Sequence, residues 1–184
     1  MKTFTFAFAA FIAGSLAAPL GATIPDNAQF YTLQTKSDTQ NLNGLYLSAK
    51  DGRVALFPGD RSDTARAGKF FTTQYDAAKT LSLHAGDDTH QVALRGANGL
   101  LDIVDVVSPT ADQIPQGQIM EWSTFTIAQD GTLGVSDGAD IPSRQWVAYE
   151  NRDGSFGVAL YDGFTPVTDR KVSKISIIAT KTQK

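Results

Sequence analysis

The sequence predicts an all-β protein. From Phe30 onward, short alternations of apolar and polar residues are interrupted every eight to twelve residues by Gly, Asp or Asn. That spacing is typical of many short strands. Pairs such as Asp51-Gly52 and Asp153-Gly154 accept the positive φ of tight turns. No segment sustains the 3.6-residue apolar period of a helix.

About twelve strands are predicted from this pattern. Several alternate cleanly: Phe71, Thr73 and Tyr75 share one face of their strand. The predicted strands are Phe30–Thr35, Gly44–Ala49, Arg53–Phe57, Lys69–Tyr75, Thr80–Ala85, His90–Arg95, Gly99–Val106, Trp122–Ala128, Thr132–Val135, Gln145–Glu150, Ser155–Tyr161 and Val172–Thr180. Three longer connections, where recognition residues commonly lie, separate them at Pro58–Gly68, Ser108–Met120 and Phe164–Lys171.

An internal repeat favours a particular arrangement of these strands. A series of four motifs recurs with similar gaps, and a third, partial copy runs from Phe30 to Leu56. The first series is Lys69–Phe71, Thr80–Leu83, Gln91–Leu94 and Gly99–Leu101, and the second is Thr124-Phe125, Gly131–Leu133, Gln145–Ala148 and Gly154–Phe156. Three units of four strands indicate a β-trefoil-like barrel. A two-sheet β-sandwich is the alternative.

The N-terminus has the features of a secretory signal peptide. Lys2 supplies the positive charge, Phe4 to Ala13 form an apolar run, and Ser15-Leu16-Ala17 is a small-x-small cleavage site. We therefore expect a signal peptide over residues 1–17, an extended lead-in over 18–28 and a single all-β domain over 29–184. The apolar run is shorter than the roughly 20 residues of a membrane-spanning helix, so no membrane association is expected after cleavage.

Composition excludes several classes of function. Lys2 is the only charged residue of the leader, so 15 basic and 19 acidic residues remain, a net charge of −4. An acidic chain without a basic stripe argues against nucleic-acid binding, which depends on clustered Lys and Arg. The absence of cysteine excludes thiol catalysis, disulfides and Cys-based zinc sites.

The two histidines form the most conspicuous polar cluster. His84 and His90 flank a turn that contains Asp87 and Asp88. These residue types can ligate a metal or supply the base of a hydrolytic triad. However, the chain has no Gly-x-Ser-x-Gly elbow, and Asp and His are common at surface hairpin tips. We predict no catalytic or metal site here, and we expect His84, which alternates with Leu83, to point to solvent.

The two glutamates are the other candidates for chemistry. Glu121 precedes Trp122, and Glu150 ends the strand that carries Trp146. A pair of carboxyls can cleave a glycosidic bond, and an adjacent indole can stack on a sugar. Burial in the core is the commoner role of Trp, so the sequence predicts no catalytic residues, leaves the binding residues unknown and implies no cofactor.

The order of these motifs resembles that of the fungal cell-wall proteins of the PhiA type, which are linked to phialide development and overlap proteins described as fungal allergens. The resemblance spans the chain after the leader. It rests on Phe30-Tyr31-Thr32-Leu33, Gly44-Leu45-Tyr46-Leu47, Phe70-Phe71, Leu81-Ser82-Leu83, Gln91-Val92-Ala93-Leu94, Trp122 to Leu133 and Ile175 to Thr180. It implies a secreted, non-enzymatic protein of the cell wall or medium, and it transfers no site residue.

The expected function is therefore structural or surface-interacting, with wall polysaccharide or wall proteins as partners and conidiophore development as a process. The alternative is a soluble carbohydrate- or protein-binding module, of the trefoil lectin or protease-inhibitor type. This alternative predicts a threefold set of equivalent pockets or one protruding loop.

Overall fold

The computed structural model describes residues 23–26 and 28–183. The predicted signal peptide, residues 1–17, lies outside the described residues, as do residues 18–22 and Asn27 of the predicted lead-in. Thr23 is held against the body of the protein by Asp88. Its backbone N–H and its hydroxyl donate to the two oxygens of that carboxylate, at 2.8 and 2.9 Å.

The all-β prediction is confirmed. The strands are β1 Gln29–Lys36, β2 Ser48–Lys50, β3 Arg53–Leu56, β4 Lys69–Tyr75, β5 Thr80–Ala85, β6 His90–Ala97, β7 Leu100–Val107, β8 Ile119–Trp122, β9 Phe125–Ile127, β10 Leu133–Val135, β11 Gln145–Glu150, β12 Phe156–Tyr161, β13 Val172–Lys174 and β14 Ser176–Thr182. Two single-turn 3₁₀ helices, Gln40–Leu42 and Ala111–Gln113, lie in connections. Within the described part of the chain, no helix is long and apolar enough to cross a membrane.

Six strands form a nearly closed barrel. Going around it, β1 pairs with β4, β4 with β5, β5 with β9, β9 with β10, and β14 with β1, all antiparallel. The ring closes between β10 and β14 through the bridge of Thr132 with Ile178 and a 2.8 Å hydrogen bond from Ala179 N–H to the Gly131 carbonyl.

Three hairpins cover one end of this barrel, namely β2–β3, β6–β7 and β11–β12. Their second strands β3, β7 and β12 pair with one another in all three combinations. A six-stranded barrel with three such hairpins is the connectivity of a β-trefoil, the arrangement that the sequence favoured. The strands belong to one continuous sheet, so the two-sheet sandwich is not observed.

The core repeats with the barrel. Leu33, Leu83 and Leu133 occur at intervals of 50 residues, on β1, β5 and β10. The other three barrel strands each contribute one large apolar side chain at an equivalent position. The six residues and their exposed fractions are Leu33 0%, Leu83 1%, Leu133 1%, Phe70 0%, Phe125 1% and Ile177 0%. Removing these side chains from water is the main stabilising contribution to the fold.

Two predicted strands are interrupted, which brings the count among the described residues to fourteen. The predicted strand Trp122–Ala128 is divided between β8 and β9, because Ser123 has a left-handed backbone with φ 62° that breaks the ladder in the manner of a bulge. The predicted strand Val172–Thr180 is divided between β13 and β14. The predicted strand Gly44–Ala49 begins only at Ser48, with an isolated bridge between Gln34 and Tyr46 before it.

Candidate functional site

The turn that follows each of three barrel strands has the same local geometry. Ser37, Asp87 and Asp137 follow β1, β5 and β10 at intervals of 50 residues. In each case the side-chain oxygen accepts a hydrogen bond from the backbone N–H two residues later, at 3.1, 2.9 and 3.0 Å. These three turns mark equivalent positions of the trefoil, and their surroundings can be compared directly.

An open cleft lies beside the second of these turns. Its volume is about 510 Å³. Its walls come from β2, the 58–68 connection, the start of β4, the 86–89 turn and the strands β6 and β7. The apolar residues Ala49, Phe70 and Ala85 also line it. The polar residues of the cleft are Ser48, Lys50, Asp60, Arg66, Lys69, Asp87, His90 and Asp105. A concave site with an apolar floor and converging polar groups is the usual form of a small-ligand site.

His90 and Asp105 form the best-ordered pair in this cleft. The His90 Nδ1 lies 2.8 Å from Asp105 Oδ2, while the side chains are 39% and 10% exposed. This contact, with a smaller contribution from the charges of Asp105 and Asp87, raises the pKa of His90. Asp105 Oδ1 is buried without a hydrogen-bond partner among residues 23–26 and 28–183. Among the described residues, His90 Nε2 and Asp105 Oδ1 therefore have no hydrogen-bond partner.

The second histidine is not part of this site. His84 lies outside the barrel wall, as its alternation with Leu83 requires, but it is only 6% exposed, so the prediction that it points to solvent is wrong. Phe71 on the neighbouring strand covers it, with the two rings stacked 4.7 Å apart. Burial lowers the pKa of His84. Sequence alternation identified the face of the strand and could not show that this face is covered.

The two aspartates between the histidines, Asp87 and Asp88, do not form a common site either. Asp88 is engaged by Thr23, and hydrogen bonds from the Thr23 N–H and hydroxyl lower its pKa. Asp87 accepts from the hydroxyl and the N–H of Thr89, which lowers the pKa of Asp87. In the described part of the chain, no three His, Asp or Glu side chains are placed to hold one metal ion.

A closed ionic cluster occupies the equivalent position at the third turn. Arg144 forms an ion pair with Asp137, and the two side chains are 18% and 6% exposed. The carboxyl of Glu121, on β8, lies against Asp137, and burial together with this contact raises the pKa of Glu121 to about 7. Burial acts to raise the pKa of Asp137 too, but hydrogen bonds from Arg144 and from the Ala139 N–H outweigh it, so the pKa is lowered.

The first turn has a third kind of environment. Ser37 Oγ donates to the Lys174 carbonyl at 3.0 Å, and Asn43 Oδ1 accepts from the Ser37 N–H at 3.1 Å. The neighbouring depression, of about 350 Å³, is lined by Lys36, Ser37, Asp38, Asn43, Lys174 and Ser176. The three equivalent positions are therefore one open cleft, one closed ion pair and one smaller depression that also carries charged side chains.

The two glutamates are not brought together. Glu121 belongs to the cluster of Arg144, whereas Glu150 lines a separate depression with Tyr149 and Phe156. Trp146 lies in the core at 6% exposure, with its indole N–H donating to the Leu133 carbonyl at 2.8 Å. Trp122 packs against a smaller apolar group of Ala93, Val104 and Met120.

Of the three long connections, the first contributes to the cleft. Asp60, Arg66 and Gly68 of the 58–68 connection line it. Arg61 anchors this connection by donating to the Gly154 carbonyl at 2.9 Å, and its guanidinium lies over the Phe156 ring at 4.9 Å from the centroid.

The pair of His90 and Asp105 was only half visible in the sequence. His90 attracted attention because histidine is rare in this chain, but Asp105 lies 15 positions later and resembled any polar residue of an alternating strand. The signal that could have found it is the hairpin register, since β6 and β7 pair His90 with Val107 and place Asp105 two residues further along. Asp137 and Arg144 carried no signal as site residues either, since Asp137 belongs to an Asp-Gly pair that predicts a tight turn.

Comparison with known proteins adds no relative to this picture. No protein family, no curated protein and no solved structure matches the chain.

Proposed function

We propose that this protein is a secreted, non-enzymatic protein of the fungal cell wall or the surrounding medium, and that it binds wall polysaccharide through the cleft at His90. The observation that carries the proposal is the cleft itself. Polar side chains from six chain segments converge on an opening of about 510 Å³ that also has an apolar part to its lining.

The chemistry of the cleft suits a sugar. A pyranose ring presents hydroxyls around its edge, which both donate and accept hydrogen bonds, and C–H groups on its faces. His90 offers the imidazole nitrogen that does not contact Asp105, while Ala49 provides apolar contact. Polar groups at fixed positions orient a ligand, and the apolar area contributes affinity.

Secretion and the wall as a destination are supported by the sequence features of residues 1–17 and by the resemblance to wall proteins of the PhiA type. A role in conidiophore development rests on that resemblance. Binding a wall polymer gives such a protein a non-covalent means of attachment to the wall.

The first test is co-sedimentation of the purified protein with insoluble β-glucan, chitin and deacetylated chitin. We expect retention by at least one polymer, and reduced retention when His90→Ala and Asp105→Asn are combined. Asp140→Asn, an exposed residue outside the cleft, serves as the matched control. Absence of retention by all three polymers would refute the binding function.

Export is tested separately by cell fractionation with an antibody to the folded domain. We expect the protein in the medium or the wall fraction, shortened at its N-terminus by the leader. Recovery of the uncleaved chain in the cytosol would contradict the proposal.

A second candidate function is protein binding, and the loop after β12 favours it. Phe164 is 68% exposed, and the Asp162 carboxylate fixes the loop by accepting from the N–H groups of Phe164 and Thr165 at 3.1 and 3.0 Å. A fixed loop with an exposed aromatic ring loses little entropy on binding. Protease-inhibition assays at ~100 μM protein, the concentration scale of binding near 5 kcal/mol, test the inhibitor form of this idea, with Phe164→Ala as the comparison variant.

A further inference from the structure

The charges of the cleft are arranged in two zones. Lys50, Arg66 and Lys69 are exposed and lie at the rim. The carboxylates of Asp60 and Asp87 are partly buried, and the side chain of Asp105 is only 10% exposed. Water and ions screen the rim cations strongly. The carboxylate of Asp105, the most buried of the three, interacts most strongly with a charge that enters the cleft.

The inner carboxylates retain unused capacity to accept hydrogen bonds. Across residues 23–26 and 28–183, no basic side chain lies within ion-pairing distance of Asp60 or Asp87. Asp105 Oδ1 is buried and has no partner in this part of the chain. A buried acceptor without a donor costs free energy in the unliganded protein.

The equivalent position of the next repeat indicates what kind of donor fits. Asp137, which corresponds to Asp87, is paired with the guanidinium of Arg144, and that cation closes the site. At Asp87 the chain supplies no such cation from within. His90 instead reaches across to Asp105 on β7, and the cleft stays open.

We propose that the cleft binds a protonated amine of its ligand where Arg144 lies in the equivalent site, and that the ligand is the glucosamine polymer of deacetylated chitin. This inference rests on the polysaccharide-binding function proposed above. An ammonium group carries three N–H donors and forms charge-assisted hydrogen bonds with carboxylates. N-acetylation removes the charge and adds a bulky amide, and a β-glucan has a hydroxyl in place of the amine.

Isothermal titration calorimetry with soluble tetrasaccharides tests this choice. We expect the glucosamine tetramer to bind at least about tenfold more tightly than the N-acetylglucosamine and β-glucan tetramers, in line with the added strength of charge-assisted bonds. Asp87→Asn should weaken the glucosamine tetramer about fivefold or more, because the amide can still accept from the Thr89 N–H but carries no charge.

The matched control is Asp76→Asn. Asp76 is exposed in the turn between β4 and β5, so this variant changes the net charge by the same amount as Asp87→Asn and leaves the cleft intact. We expect unchanged affinity for the glucosamine tetramer. Asp60→Asn provides a second cleft variant, and thermal unfolding of each variant establishes that it is folded.

The outcomes separate this inference from the proposed function. Equal binding of all three tetramers, or binding of the neutral ones alone, overturns the amine site and leaves polysaccharide binding in place. An equal loss in Asp76→Asn and Asp87→Asn would assign the preference to the overall negative charge and overturn the site. Loss of binding in EDTA would attribute the binding to a bridging metal ion, and this result would also overturn the amine site. Failure of every tetramer, together with no retention on the insoluble polymers, removes both proposals.

Discussion

The open cleft at Asp87 and the closed cluster at Asp137 begin from the same turn and end as opposite environments. In both, an aspartate caps the backbone N–H two residues later. At Asp137 the long side chain of Arg144 returns to its own turn and seals it. At Asp87 the basic residue is the shorter His90, which is paired with Asp105 on β7.

This difference indicates that one set of residues specifies the trefoil scaffold and another set specifies the environment of each turn. The barrel strands fix where each turn lies, and the surrounding side chains determine whether the position is closed by an ion pair, as at Asp137, or remains open, as at Asp87. Three variants test how far this contrast extends to stability.

The largest effect is expected from Arg144→Met. Removing this cation leaves Asp137 and Glu121 buried together without a positive charge. Because the paired side chains are 18% and 6% exposed, we expect a loss of about 3 kcal/mol in the free energy of unfolding at pH 8. Urea denaturation measures it. Arg53→Met is the control, since the side chains of its pair with Asp153 are 43% and 49% exposed and its loss should stay below about 1 kcal/mol. Equal losses in the two variants would show that the Arg144 cluster is not a closed site.

An intermediate effect is expected from Glu121→Gln. The pKa of Glu121 is raised to about 7 in the folded protein, so the unfolded chain loses this proton first as the pH rises. The contribution of Glu121 to stability is therefore fully present below about pH 4.5 and is lost as the pH rises towards 7. Glutamine should raise the free energy of unfolding at pH 8 by about 1–2 kcal/mol, after allowance for partial exposure, and should flatten its slope over this pH range. Urea titrations from pH 4 to 8, with Glu150→Gln as the control, measure the slope; an unchanged slope would contradict the assignment.

The smallest effect is expected from Asp105→Asn in the cleft. The pKa of His90 is raised by Asp105, so the contribution of the pair is present below the ordinary pKa of histidine, near 6.5, and is lost as the pH rises through the raised value. Because the His90 side chain is 39% exposed, we expect a loss below about 1 kcal/mol at pH 5.5 and almost none at pH 8. The NMR titration of His90 in the variant should move to lower pH. A loss at pH 8 as large as that of Arg144→Met would remove the contrast between the two sites.

Much of the fold followed from local patterns. Alternation and Asp-Gly turns predicted the strands because the pleat and the positive-φ turn are local properties of the chain. The internal repeat predicted the trefoil, and the leucines spaced by 50 residues carry that repeat in the core. The interruption at Ser123 was missed, since a single left-handed serine is stabilised by contacts with Ser82 and Gln91 on other strands and has no local signature.

The candidate site was not predicted from the sequence. Asp87 and His90 were noted as members of a polar cluster, but no site was predicted there, and His84 was expected to point to solvent because it alternates with Leu83. Its burial beneath Phe71 depends on a neighbouring strand. Asp105 and Arg144 were invisible as site residues, because their roles depend on which partner the tertiary structure places opposite them.

The sequence by itself determined the all-β class, the three repeats and the turn positions, since these depend on periodicity and on residues adjacent along the chain. It also determined the absence of thiol chemistry and predicted export. The tertiary structure decided which of three equivalent turns is open, because a salt bridge or a cleft depends on side-chain length and on cross-strand register between distant residues. The barrel core repeats because burial of any apolar side chain of suitable size stabilises it. The surfaces of the three repeats differ from one another because each ionic contact requires one particular partner.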